Sequence, residues 1–198
     1  MTSSAKNIAL FGGSFNPPHL AHPHLAFAVL QTQPVDEIVV LPTDTHPTKS
    51  NLAALSHRME MCRRGFETLA DVRVSGIESK LPHPNYTVQT LEYVHKRWTF
   101  EELFYIIGTD LAEEVPDWKH ADGLDDLCTI LLAPRQGYPV IDPPEELGDY
   151  QKIELGFDLP ELSSTFVRRL LNRDVDCSKF LDQDVLQYIQ DHELYGVS

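Results

Sequence analysis

The sequence predicts an α/β fold: a doubly wound, mostly parallel sheet with helices on both faces, plus a small helical part at the C-terminus. Two observations carry this. Short apolar runs alternate with helical patterns along almost the whole chain, and the runs are continuous rather than alternating, as in strands buried on both faces. A third, 198 residues of which 42% are hydrophobic, is enough for one domain over residues 1–198 with a real core.

Taken in order, the first run is residues 7–11 (NIALF), which ends at a Gly-Gly turn and a proline-rich loop. Residues 19–31 show helical spacing at Leu20, His24, Phe27, Ala28 and Leu30. Residues 37–41 (EIVVL) give a second strand, stopped by Pro42. A helix is expected over residues 53–69 and a third strand over 72–77. Thr87 is a suitable N-cap for a helix running to Arg97. Residues 103–107 (LFYII), ended by Gly108, and 129–133 (TILLA) are further buried strands. Residues 135–147, rich in Pro, Gly and acids, read as a surface excursion, and 152–155 as a short last strand. Ser163 or Ser164 caps a helix through Leu171, and residues 182–192 carry the final one.

Composition excludes several functions. A formal charge of −14 argues against an extended nucleic-acid surface, which needs a basic face, but not against a small phosphorylated ligand held by a few cations. No stretch approaches the ~18 consecutive apolar residues of a membrane helix. The apolar run after Met1 is too short for a signal peptide and reads as the first strand. Cys62, Cys128 and Cys177 are odd in number and far apart, which suits a reducing cytoplasm rather than a disulfide framework.

The segment Gly12-Gly13-Ser14-Phe15-Asn16-Pro17-Pro18-His19-Leu20-Ala21-His22 follows the first strand and opens the first helix. Ligands of doubly wound sheets bind there, beyond the carboxyl ends of the strands. Glycines let the backbone approach a phosphate, and a helix start supplies free N–H donors. His19 and His22 lie one helical turn apart, and imidazole can donate to phosphate oxygens and carry a proton near neutral pH. A surface histidine pair fits the same spacing. A zinc site would need a third ligand, and no nearby carboxylate or cysteine offers itself.

Far downstream, Ser163-Ser164-Thr165 with Arg168 one turn on would form a second anion cradle of hydroxyls, helix-start N–H groups and a cation; an ordinary N-cap with a solvated Arg fits the residues too. Together these stretches resemble the two signatures of the nucleotidyltransferase superfamily, a His-x-Gly-His after a Gly-rich turn and a Ser/Thr cluster followed by Arg. One departure is plain: the family's glycine is Ala21 here. Further stretches resemble the nicotinate mononucleotide adenylyltransferases in particular. They are Pro84-Asn85-Tyr86-Thr87-Val88-Gln89-Thr90, Gly108-Thr109-Asp110 with Trp118 after it, and the C-terminal residues 188–195 (YIQDHELY), so the likeness runs nearly the full length.

The resemblance implies a Rossmann-like fold and transfer of AMP from ATP to nicotinate mononucleotide, giving deamido-NAD and pyrophosphate. It implies Mg²⁺ brought with ATP and no metal held by the protein itself. His19, His22, Lys49 and Arg168 would be catalytic. Gly12, Gly13, Ser14, Phe15, His22, Gly108, Asp110, Arg135, Ser163, Ser164, Thr165 and Arg168 would hold ATP. Ser14, His19, Lys49, Tyr86, Thr87 and Trp118 would hold the mononucleotide, with the indole stacked on the pyridine and fixed N–H donors reading its carboxylate. Arg58 is a weaker candidate than Lys49 for holding these oxygens; without the resemblance, Trp118 also fits a half-buried aromatic covering the sheet and Asp110 a helix cap. Expected partners are these two substrates, with no nucleic acid and no membrane, in the cytoplasm; the oligomeric state is open, a homo-oligomer included. The rivals are a sister enzyme adenylylating another phosphate such as phosphopantetheine, and a catalytically silent nucleotide binder, for which Ala21 is the motive.

Overall fold

The computed structural model describes residues 5–44, 52–135, 138, 144, 147–155 and 162–197. Six strands form one sheet: β1 (Ile8–Gly13), β2 (Glu37–Pro42), β3 (Val72–Val74), β4 (Leu103–Gly108), β5 (Thr129–Ala133) and β6 (Tyr150–Lys152). Their order is β3-β2-β1-β4-β5-β6, and every neighbouring pair is parallel. The order reverses between β1 and β4, so the loops leaving these two strands flank the crevice where such sheets bind ligands.

The continuous apolar runs have a simple cause. Along each central strand, alternate residues enter different cores. Leu10, Val39, Leu41, Tyr105, Ile107, Ile130 and Leu132 share one, together with Val88, Leu91 and Val94 of helix α3 (Thr87–Arg97). Ala9, Phe11, Ile38, Val40, Phe104, Ile106 and Leu131 share the other, packed on Leu25, Ala26 and Val29 of α1 (Ala21–Thr32) and on Cys62 of α2 (Leu55–Gly65). Both faces are covered, so polar residues are confined to the strand starts, Glu37 of β2 and Thr129 of β5. A one-turn helix α4 (Thr109–Ala112) follows β4 directly.

The predicted C-terminal helical part is α5 (Ser164–Leu171) and α6 (Gln183–Asp191). Val167, Leu171, Val185, Tyr188 and Ile189 form a third core with Met61 of α2, which seats this part against the sheet layer. Ser163 is the cap of α5, its Oγ accepting Phe166 N–H at 3.1 Å.

Four boundaries differ from the sequence reading. The third strand ends at Val74, and residues 77–80 turn into a short 3-10 helix. Helix α2 ends at Gly65; the following N–H groups of Phe66, Glu67 and Leu69 bond turn-wise to Cys62, Arg64 and Phe66 carbonyls. The last strand is Tyr150–Lys152, two residues early, because the exposed edge accepts polar residues and leaves Ile153 to enter the core. The cap of α3 is Tyr86, in extended conformation, whose N–H is taken by the Gln89 side chain at 3.1 Å. Among the described residues, no helix is long and apolar enough to cross a membrane, and no three His, Cys, Asp or Glu side chains are grouped to hold a metal.

Candidate active site

The turn after β1 is built from the inside. Gly12 lies against the Tyr105 phenol of β4, where a Cβ would collide with the hydroxyl, and Gly13 lies against the Phe15 ring. The first requirement on these glycines is therefore internal packing, which brings the turn down onto the sheet. Phe15, only 1% exposed, has φ 43°, in the left-handed region that costs a non-glycine residue about 1–2 kcal/mol. Its ring packs edge-on against Phe11 and Phe66 and lies 4.9 Å from the His22 ring, contacts that hold the conformation.

His19 and His22 stack on one another, with ring centroids 3.8 Å apart. His22 Nδ1 lies 3.0 Å from the His19 backbone N and 3.2 Å from the His19 carbonyl oxygen, so the His19 backbone fixes the orientation of the His22 ring. Burial pulls the His19 imidazole down to about 4, with the Arg135 guanidinium adding to the effect. Burial, then His19 and Arg135, hold His22 well below its ordinary value. An imidazole can carry a proton near neutral pH, but these surroundings disfavour the charged form. In the free protein the neutral rings are favoured, chiefly because burial penalises the charged form, with the Arg135 guanidinium adding to it. Nδ1 of His19 is buried without a hydrogen-bond partner among the described residues.

The second signature meets the first directly. Ser164 Oγ donates to the Pro17 carbonyl at 2.9 Å, and Arg168 Nη1 donates to the Asn16 carbonyl at 2.7 Å. Arg168 Nη2 also donates to Thr165 Oγ1 at 3.2 Å. From β4 and β5 come Asp110, ion-paired with Arg135, and Thr109, whose hydroxyl accepts Arg135 N–H at 2.9 Å. The Asp110 carboxylate folds back over Gly108, so a Cβ there would have to displace it. Ser14, His19, His22, Asp110, Arg135, Ser164, Thr165 and Arg168 thus gather at the crevice. This concentrates cations on a chain whose net charge is −14.

The mononucleotide candidates line the neighbouring wall. Tyr86 and Thr87 open α3, and the Thr87 hydroxyl engages the Tyr105 phenol. Trp118 is half-buried against the α3 side of the core, and Lys119 lies over the Tyr86 ring at 4.7 Å, so the two stretches are adjacent. Lys49 lies outside the described residues. Ala21 is the first residue of α1 and partly exposed.

Arg58 is not a phosphate ligand but a buried brace, 1% exposed. Its guanidinium donates to the carbonyls of Ala53, Ser14, Thr43 and Asp44, tying the loops after β1 and β2 to the start of α2. Two residues with no role in the sequence reading matter equally. Asn16 (1% exposed) accepts Ala53 N–H at 3.0 Å and Tyr195 Oη–H at 2.8 Å on its side chain, while its carbonyl holds Arg168. The C-terminal turn therefore reaches back to the first loop. No periodicity signals that contact; only the Asn within the signature was visible.

A glycine-rich turn with two stacked histidines, faced by a serine-capped helix and two arginines at the crevice of a parallel sheet, is a site suited to a phosphorylated ligand. The sequence model of the cytidylyltransferase-like family matches residues 10–170. The protein named "Probable nicotinate-nucleotide adenylyltransferase" from Anaeromyxobacter dehalogenans strain 2CP-1 is 36% identical over 196 residues, 98% of each chain. Its namesake from Bacillus pumilus is 33% identical over 96% of this chain and 98% of its own. Two structures of Plasmodium falciparum nicotinic acid mononucleotide adenylyltransferase, complexed with NaAD and with APC, superpose with TM-scores of 0.81 and 0.79. Each is 20% identical and covers 98% of both chains, a likeness that shows the fold. The chain belongs to the cytidylyltransferase-like family and, within it, falls among the nicotinate-nucleotide adenylyltransferases.

Proposed function

We infer that this chain transfers the adenylyl group of MgATP to nicotinate mononucleotide, releasing pyrophosphate and forming deamido-NAD. The observation that carries this reading is the direct hydrogen bonding of the two anion-binding signatures, Ser164 to Pro17 and Arg168 to Asn16, beside a wall made by Tyr86, Thr87 and Trp118.

In the proposed reaction, a phosphate oxygen of the mononucleotide attacks the α-phosphorus of ATP. The bond from that phosphorus to the β-phosphate bridging oxygen breaks as the new one forms, and pyrophosphate leaves with the electron pair. The nucleophile is already an anion, so no strong base is required, and neutral histidines are adequate. Rate acceleration then comes from alignment of two polyanions and from donors aimed at charge on the phosphoryl centre and the leaving group. The His22 imidazole, the free donors of Arg168, and the hydroxyls and N–H groups of residues 163–165 suit the triphosphate. His19, Ser14 and Lys49 suit the attacking phosphate. Arg135 and Asp110 suit the adenosine side. Mg²⁺ enters as part of the ATP substrate and offsets charge on its oxygens. A cytoplasmic setting is part of this reading, supported by three buried free thiols at Cys62, Cys128 and Cys177.

The test is pyrophosphate release from MgATP with nicotinate and nicotinamide mononucleotides compared side by side. Strong preference for the acid supports the reading. Equal use of both keeps the chemistry and removes the carboxylate-reading wall. Release with neither, while ATP still binds, turns the assignment to another acceptor or to a silent binder with Ala21 as its cause.

A further inference from the structure

One buried acid lies outside the adenylyl-transfer machinery. Glu78, in the 3-10 helix that follows β3, is 7% exposed. Its Oε2 accepts the backbone N–H of Asp44 at 3.2 Å, just ahead of the stretch in which Lys49 lies. The backbone carbonyl of the same residue accepts from Asn85 Nδ2 at 3.0 Å, immediately before Tyr86 and Thr87. Thr87 in turn engages the Tyr105 phenol, the ring against which Gly12 closes. A single side chain and its own carbonyl thus connect the exit of β2 to the entrance of α3.

We propose that Glu78 is the positioning residue for the mononucleotide half of the site, fixing the segment after β2 and the approach to α3 relative to one another. This rests on the reading that Tyr86, Thr87 and Trp118 face the mononucleotide. A brace alone needs only an acceptor, which glutamine would supply; a buried carboxyl does more. The charged and titratable groups around it are the Asp44 carboxyl after β2, the Arg58 guanidinium on α2 and the Tyr105 phenol on β4, with His83 lying 3.5 Å from Asp44. Burial pushes the Glu78 carboxyl up to about 7 and Asp44 adds to the rise, against the Asp44 N–H and Arg58. Above that pH a second negative charge appears beside Asp44, next to a wall that must receive an anion. Mononucleotide binding therefore weakens as pH rises through neutrality.

The experiment is steady-state pyrophosphate release by the full chain from about pH 6 to about pH 8.5, with each substrate varied in turn. It compares wild type, Glu78→Ala, Asn85→Ala and Glu78→Gln. Glu78→Ala and Asn85→Ala should raise the KM for nicotinate mononucleotide about tenfold and leave the KM for ATP within about twofold. Glu78→Gln keeps the acceptor and the shape, so it folds as wild type. It should match the wild-type KM at the acid end and lose the wild-type rise in mononucleotide KM across neutrality. The substrate's own phosphate titrates equally in both proteins and drops out of the comparison. Equal shifts in the two KM values, no shift in either, or an unaltered pH profile in Glu78→Gln would each overturn the proposal. If wild type makes no pyrophosphate with nicotinate mononucleotide, the functional reading fails and takes this one with it. Wild-type turnover without the KM split defeats the role of Glu78 alone.

Discussion

Replacing His19 with glutamine should make the protein less sensitive to acid, although the wild-type side chain sits in the turn proposed to bind phosphate. In the unfolded chain this imidazole titrates at 6.5, and in the fold burial and Arg135 lower it to about 4. A folded-state value below the unfolded one means that the unfolded chain binds the proton first. The stability associated with the neutral ring is present above 6.5 and is lost as pH falls toward 4. At about 1.36 kcal/mol per unit, the loss between neutral pH and about pH 4.5 is roughly 2 to 3 kcal/mol, a large share of a typical domain's stability. Glu78 works in the opposite direction. Its value is raised from 4.5 to about 7, so its contribution is present at low pH and is lost as pH rises through 7, and it masks part of the acid limb in wild type. The informative quantity is therefore the difference between proteins. Urea unfolding of wild type and His19→Gln, each at neutral pH and about pH 4.5, should show wild type losing roughly 2 kcal/mol more than the variant on acidification. An identical acid loss in both would mean that His19 is charged or solvated in the fold, and the argument for a neutral ring would fall with it.

Three further outcomes follow from the same geometry. His22→Ala removes a preorganised donor and should lower kcat about 10²- to 10³-fold with folding intact; a folded variant that keeps most of its turnover would remove His22 from the mechanism. Tyr195→Phe deletes a hydrogen bond on the Asn16 side chain and should lower unfolding stability by about 0.5–1.5 kcal/mol, with a raised KM for ATP because Asn16 also holds Arg168. An unchanged urea midpoint and KM would show the C-terminal turn to be independent of the site. Trp118→Ala should raise the KM for nicotinate mononucleotide, and a rise in the KM for ATP instead would reverse the assignment of the two walls.

The sequence by itself determined the sheet and the two signatures. Continuous runs such as EIVVL and LFYII demand burial on both faces, and a parallel sheet under two helical layers is the arrangement that provides it. The Gly-Gly turn with His19 and His22, and the serine cap with Arg168, were visible because each is local, spanning a turn or two of chain. The end of β3, the displacement of β6 and the cap of α3 escaped, since each depends on what a residue meets across the fold. So did the protonation state of the histidines, which is fixed by burial and by Arg135, more than a hundred positions away in the chain. Arg58 shows the limit most clearly: an arginine on an amphipathic helix reads as solvated or ligand-binding, yet four carbonyls from the connections after β1 and β2 converge on it. Asn16, Tyr195 and Glu78 gained their roles in the same way, from hydrogen bonds between segments distant in sequence. Local pattern fixes which elements form and which side chains can do chemistry; only the packed structure decides their partners, because hydrogen bonding and desolvation depend on neighbours that the chain order does not reveal.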